Sequence, residues 1–238
     1  MFTKQKIIKT KLKENLCLWY CIYNAIDTIK LRLAFSGNPK KGELPHALFI
    51  RVIFLRCPLQ RSNKPPQENN NVTVGEKRKR KIAQMDETKQ LQEWKNLKSK
   101  EGYSSLDINY YLHYLKTHGY IESFTWTKIK KWTPSLSSQN EGIQVLLGSA
   151  TSNNLRPTAQ HCYDTGTENL VTNIDTMYNK FCNSYRGPMS THGIAIRHSN
   201  TDGTQIFDTA KVYSILFSLD TLLWSIVNVF AAYTFKLE

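Results

Sequence analysis

The sequence predicts an α+β domain, with a helical N-terminal layer packed on a mostly antiparallel C-terminal sheet. Three observations carry that reading. Apolar residues recur at helical spacing through Leu18, Ile22, Ala25, Ile26 and Ile29, and again through Leu106, Ile108, Tyr111, Leu112 and Leu115. Thr191–Asp208 (T-H-G-I-A-I-R-H-S-N-T-D-G-T-Q-I-F-D) reads as a β-hairpin: an apolar run, a polar turn at His198–Gly203, and a second short strand. Ile143–Leu147 and the alternating Val229–Leu237 supply further strands.

The 238 residues accommodate one domain plus an irregular insertion. Forty per cent apolar residues, with 12 Tyr, 10 Phe and 5 Trp, argue for a packed core and against a disordered chain. The net charge of +13 favours acidic partners, nucleic acid among them, but much of it is local. Met1–Lys13 holds five Lys and no acid, and Lys77, Arg78, Lys79, Arg80 and Lys81 are consecutive. Composition therefore divides the chain into a basic tail (1–13), a segment 14–57, a Pro/Asn/Gln-rich and then basic insertion or linker (58–81), and a remainder (82–238) that completes the same domain. The basic run is a candidate nuclear-import or nucleic-acid patch.

Glu14–Lys30 has two helical stripes, one of Cys17, Cys21, Asn24 and Asp27, the other apolar. Asn15 is the candidate N-cap, which places Cys17 in the first turn. Ala47–Cys57 is a buried strand or a short helix. Ile82–Lys100 is helical and stopped by Gly102; Ser104 and Ser105 cap a second helix that runs towards Gly119. The tyrosines around that helix are expected to pack rather than to stack bases. Tyr120–Trp132 holds a strand or short helix, Ile143–Leu147 a strand ended by Gly148, and Leu170–Tyr185 a helix. Val212–Ile226 follows helical spacing and the chain then alternates to its end. Asp220 would cost roughly 2.5–3.5 kcal/mol inside a bilayer, so a helix followed by a terminal strand is preferred to a membrane span.

Five cysteines at irregular spacing, with no secretory signal, point to an intracellular, reduced protein of the cytoplasm or nucleus. A zinc site from Cys17, Cys21, His161 and Cys162 lacks clean ligand spacing, so no metal and no cofactor is expected.

The hairpin carries the chemistry. A turn centred near Asn200 sets His192 opposite Asp208, on one face and roughly 4.5–5.5 Å apart at Cβ. A slip of one residue would part them. An imidazole oriented by a carboxylate lacks only a nucleophile to form an acid–base relay. Cys17, in the first turn of its helix, meets the positive dipole end and unpaired N–H groups that favour a thiolate.

Cys17-Leu18-Trp19 opening an apolar-aromatic helix, a distant His192 opening a strand, and Asp208 on the next strand resemble the papain-like cysteine peptidases. Cys-Leu-Trp is most similar to the ovarian-tumour-type (OTU) branch. The resemblance implies a papain-like fold with Cys17 as nucleophile, His192 as general base and Asp208 as orienting acid. Asn15 is the oxyanion or N-cap candidate, and Cys21, one turn on, the alternative nucleophile. It further implies thiol-dependent cleavage of a peptide or isopeptide bond, on a ubiquitin-like modifier or a polyprotein. The alternatives are a non-catalytic basic binding module for nucleic acid or protein, and a degenerate peptidase.

Overall fold

The computed structural model describes residues 15–56, 86–138, 142–151, 173–186, 190–208 and 213–238. The basic tail, the whole of the insertion with Lys77–Lys81, and His161 and Cys162 lie outside the described residues.

The N-terminal helical stretch is two helices, α1 (Cys17–Ala25) and α2 (Ile29–Phe35). Ile26 turns extended, and Thr28 starts the second helix by accepting a hydrogen bond from the Leu31 N–H. Arg32 closes the break: its Nε donates to the Ile26 carbonyl at 2.6 Å and its Nη2 to the Asn24 carbonyl at 2.9 Å, satisfying acceptors at the end of α1. Ala47–Arg56 is a helix, α3, burying Phe49, Ile50, Val52, Ile53 and Phe54.

α4 (Glu87–Glu101) begins at Asp86, whose carboxylate accepts from the Lys89 N–H, and stops at Gly102, held at φ +76°. α5 (Ser105–Thr117) starts with a reciprocal capping box between Ser104 and Asp107. It buries Ile108, Tyr111, Leu112 and Leu115 of the stripe read from the sequence, whereas Leu106 is exposed. Tyr111 lies in the core and donates to the Phe35 carbonyl at 2.8 Å.

Six strands form one antiparallel sheet in the order β1-β6-β2-β3-β4-β5. They are β1 (Phe124–Ile129), β2 (Gly142–Ala150), β3 (Thr191–Ser199), β4 (Gly203–Asp208), β5 (Tyr213–Leu216) and β6 (Ile226–Leu237). Two further α-helices among the described residues are α6 (Ile174–Ser184) and α7 (Leu219–Ser225).

Two expectations need correction. β2 runs through Gly148 rather than ending there: a Cβ at 148 would lie 2.6 Å from the Val227 carbonyl oxygen, so glycine lets β6 approach where the ladder shifts register. The apolar stretch after Val212 is not one helix. Tyr213–Leu216 pairs with β4 as an edge strand, and Ser218 caps a seven-residue helix before β6.

Both faces of the sheet are covered. Alternation along β2 sends Val145 and Leu147 into a core with Leu16, Trp19, Phe35 and Trp94, and sends Leu146 the other way, among Tyr178, Phe181, Ile194 and Leu222. The N-terminal layer on the first face is as expected; the second, smaller layer from α6 and α7 was not. Chain on either side of the insertion enters one core, where the Phe54 and Trp94 rings meet edge-on at 5.7 Å. Among the described residues, no helix is long and apolar enough to cross a membrane.

Candidate active site

Cys17 is the first residue of α1 and is half-buried. The helix cap is Leu16, not Asn15, and it makes no side-chain cap bond. Asn15 sits in the left-handed region at φ +48°, which asparagine tolerates better than most residues. Its amide donates to the Ser99 carbonyl at 2.5 Å, fastening the approach to α1 against the end of α4. The helix starts at Cys17, which leaves Asn15 one position ahead of the cap and in a left-handed rather than extended backbone conformation, and this is why the cap expectation fails. The first hydrogen bond of the helix runs from the Tyr20 N–H to the Leu16 carbonyl, so the N–H groups of Cys17, Leu18 and Trp19 have no intrahelical acceptor.

His192 and Asp208 meet at 3.0 Å, Nε2 to Oδ1, both nearly enclosed at 9% and 6% exposure. The expected register is off by two. Ala195 pairs with Phe207, Ile196 with Ile206 and Ser199 with Gly203, which moves the turn one residue along and sets His192 and Asp208 on a diagonal. A shift of two preserves the face, so the contact survives.

The structure brings Cys17 to this couple. The thiol and the imidazole are hydrogen-bonded, and Nε2 is already taken by Asp208, so Nδ1 is the nitrogen that serves the sulfur. Burial alone would raise the Cys17 pKa. The hydrogen bond and charge of His192, with the backbone N–H groups of Gly193 and Leu18, outweigh burial and hold the thiol below its ordinary range. Burial alone would lower the His192 pKa, yet Asp208 and Cys17 push it up to about 10. Opposite shifts in two touching groups favour a thiolate–imidazolium pair.

The chain matches no family model, no curated protein and no solved structure. The site is therefore read from its own geometry.

Cys21 is not brought to His192. It is fully enclosed among Ala25, Ala195 and Phe207, and its Sγ donates to the Gly193 carbonyl at 3.2 Å. Without access it is not an alternative nucleophile. Sequence reasoning passed over Gly193, whose signal is a glycine inside a strand pattern, a mark of close backbone approach. A Cβ there would sit 3.2 Å from both Leu18 Cδ1 and Leu147 Cδ2, so glycine allows the first turn of α1 to lie against β3. At the far end of α1, Arg197 donates to the Ala25 carbonyl at 3.1 Å and to Gln205 at 2.7 Å. The helix is thus tied to β3 at both ends.

Among the described residues, no group of three or more His, Cys, Asp or Glu side chains is placed to hold a metal ion. A groove of about 1020 Å³ between the α2–α3 connection and α4 is lined by Lys40, His46, Arg51, Lys95 and Tyr103, among others, and includes none of the three site residues.

Proposed function

We propose that the protein is a thiol-dependent hydrolase of peptide or isopeptide bonds, with a papain-like arrangement of Cys17, His192 and Asp208. The observation that carries this reading is the ordered contact Cys17–His192–Asp208, assembled from a helix start and two adjacent strand ends. The thiolate attacks the scissile carbonyl carbon, and the carbonyl π electrons move to oxygen. The Cys17 N–H, at the open start of α1, is placed to hold that oxyanion. His192 as imidazolium protonates the leaving amine, the C–N bond breaks and a thioester remains. Water then attacks the thioester while His192 takes its proton, and the carboxylic acid leaves as the thiol is restored. Asp208 keeps the ring turned with Nδ1 towards sulfur and stabilises its cationic form.

The resemblance to the OTU branch favours a ubiquitin-like modifier or a polyprotein as substrate. Among the described residues, Cys17, Cys21 and Cys182 form no disulfide. A ubiquitin-like protein bearing a C-terminal thiol-reactive electrophile tests the reading. It should label Cys17 in the wild type, fail on Cys17→Ser, and react far more slowly with folded His192→Ala. Equal labelling of wild type and His192→Ala would rule the relay out. Labelling without turnover of peptide or isopeptide substrates would indicate a degenerate peptidase.

The charge of +13 supports a second reading, a non-catalytic module for acidic partners. Binding that falls steeply with salt and ignores alkylation of Cys17 would favour it.

A further inference from the structure

Cys17 and Cys21 stand four residues apart on one face of α1, and both sulfurs engage the same strand residue. The Gly193 N–H donates to the sulfur of Cys17, and the Gly193 carbonyl accepts from Sγ of Cys21 at 3.2 Å. In an extended strand the N–H and C=O of one residue project to the same side, the geometry by which one residue makes two bonds to a neighbour. One turn of helix here takes the place of that neighbour.

We propose that Cys21 is a positioning residue for the Cys17 thiolate, acting through Gly193: its thiol holds the Gly193 carbonyl and so keeps the Gly193 N–H on the nucleophile. The inference rests on the thiol-hydrolase reading and deepens it. Three features support the role. Cys21 is wholly enclosed, so its thiol is not available for outside chemistry. The contact is buried, where a hydrogen bond is not exchanged for one to water. Gly193 has no side chain to hold it in register against α1, and the nearest groups are the apolar Leu18 and Leu147. The polar anchor therefore comes from the helix. Cys21 touches neither substrate nor the reacting atoms.

The test is the pH dependence of iodoacetamide alkylation, read on the Cys17 peptide by mass spectrometry, in the whole protein and its Cys21→Ala, Cys21→Ser and His192→Ala variants. Cys21→Ala should move the Cys17 titration to higher pH and slow its alkylation at neutral pH by about three- to tenfold, the effect of losing one hydrogen bond near a charge. Cys21→Ser, whose hydroxyl can still donate to Gly193, should restore much of the wild-type profile. The Gly193 amide resonance should follow the Cys17 titration in wild type and Cys21→Ser, and lose that response in Cys21→Ala. A merely structural cysteine would lower thermal stability in Cys21→Ala without moving the profile. A profile shifted by His192→Ala but unmoved by Cys21→Ala overturns the positioning role and leaves the hydrolase reading standing. A profile unmoved by both overturns the hydrolase reading as well. Should Cys21→Ala not fold, Cys21→Ser with an unaltered Gly193 response supports the role, and a lost response in that folded variant refutes it.

Discussion

Asp208 reaches His192 across the β3–β4 ladder on the diagonal: the residue directly across from Asp208, continuing the pairing of Ala195 with Phe207, is Ile194. The imidazole leans along the strand to place Nε2 3.0 Å from Oδ1. This contact depends on register parity, and it presents Nδ1 to Cys17.

Asp208→Asn should therefore leave the hairpin folded while removing the charge that orients and ionises His192. Peptide or isopeptide cleavage, measured as kcat/KM, is expected to fall on the order of 10²- to 10⁴-fold. Deleting Thr201 from the turn, which slips one strand by a single residue and parts His192 from Asp208, should slow Cys17 labelling at neutral pH towards the level of His192→Ala.

The titration of the site sets a second expectation. Only the thiolate alkylates, and Cys17 is held low while His192 is held high. Alkylation of Cys17 should therefore rise at lower pH than that of an ordinary thiol, across a scan of about pH 4 to 10. In His192→Ala the rise should move to the alkaline side. A Cys17 profile that follows an ordinary exposed thiol would contradict the ion pair.

The same shifts predict the pH dependence of stability. His192 is raised on folding, so its contribution is complete below the unfolded value of about 6.5 and is lost as pH rises through the raised folded value. Cys17 is lowered on folding and runs the other way, its contribution present above its unfolded value and lost as pH falls through the folded one. In a Cys17→Ser background only the His192–Asp208 couple remains. There, the thermal-midpoint advantage over His192→Gln should be greatest near about pH 6 and shrink as pH rises, sooner than the value of about 10 that His192 has with Cys17 in place.

The two glycines at the site should differ when replaced. Gly148 lies directly across from His192 in the β2–β3 ladder, and its Cβ would meet a backbone oxygen at 2.6 Å. At Gly193 the closest obstacles, at 3.2 Å, are leucine side chains. Gly148→Ala should therefore cost more stability than Gly193→Ala, for which about 1–3 kcal/mol of overpacking is expected. Gly193→Ala should nonetheless depress Cys17 alkylation beyond its effect on thermal unfolding, because it pushes α1 from β3.

A change remote from the site supplies the control. Ser104→Ala removes the capping box of α5 and should cost about 1 kcal/mol by thermal or denaturant unfolding. The pH profile of Cys17 should not move.

Local chemistry was legible along the chain. Ser104 and Gly102 mark helix ends because caps are satisfied by residues three or four positions away. Short apolar runs beside turn residues identified β2 and β3, and helical spacing identified α5, because buried strands and half-buried helices leave these marks in the order of residues. His192, Asp208 and Cys17 were legible for the same reason, each lying at the end of such an element. Tertiary structure decided what depends on partners far along the chain. Asn15 stands one position ahead of the cap, its backbone turned left-handed and its amide donating to Ser99, which is remote in sequence. Cys21 was removed from chemistry by burial against β3, and the hairpin register settled on a diagonal that a turn sequence alone does not specify. Tyr213–Leu216 became a strand, despite helical spacing in its residues, because β4 offered an unpaired edge whose hydrogen bonds helical periodicity does not register. Periodic burial and capping are short-range and leave their mark in the amino-acid order, whereas choice of partner and closeness of approach exist only once distant segments are packed together.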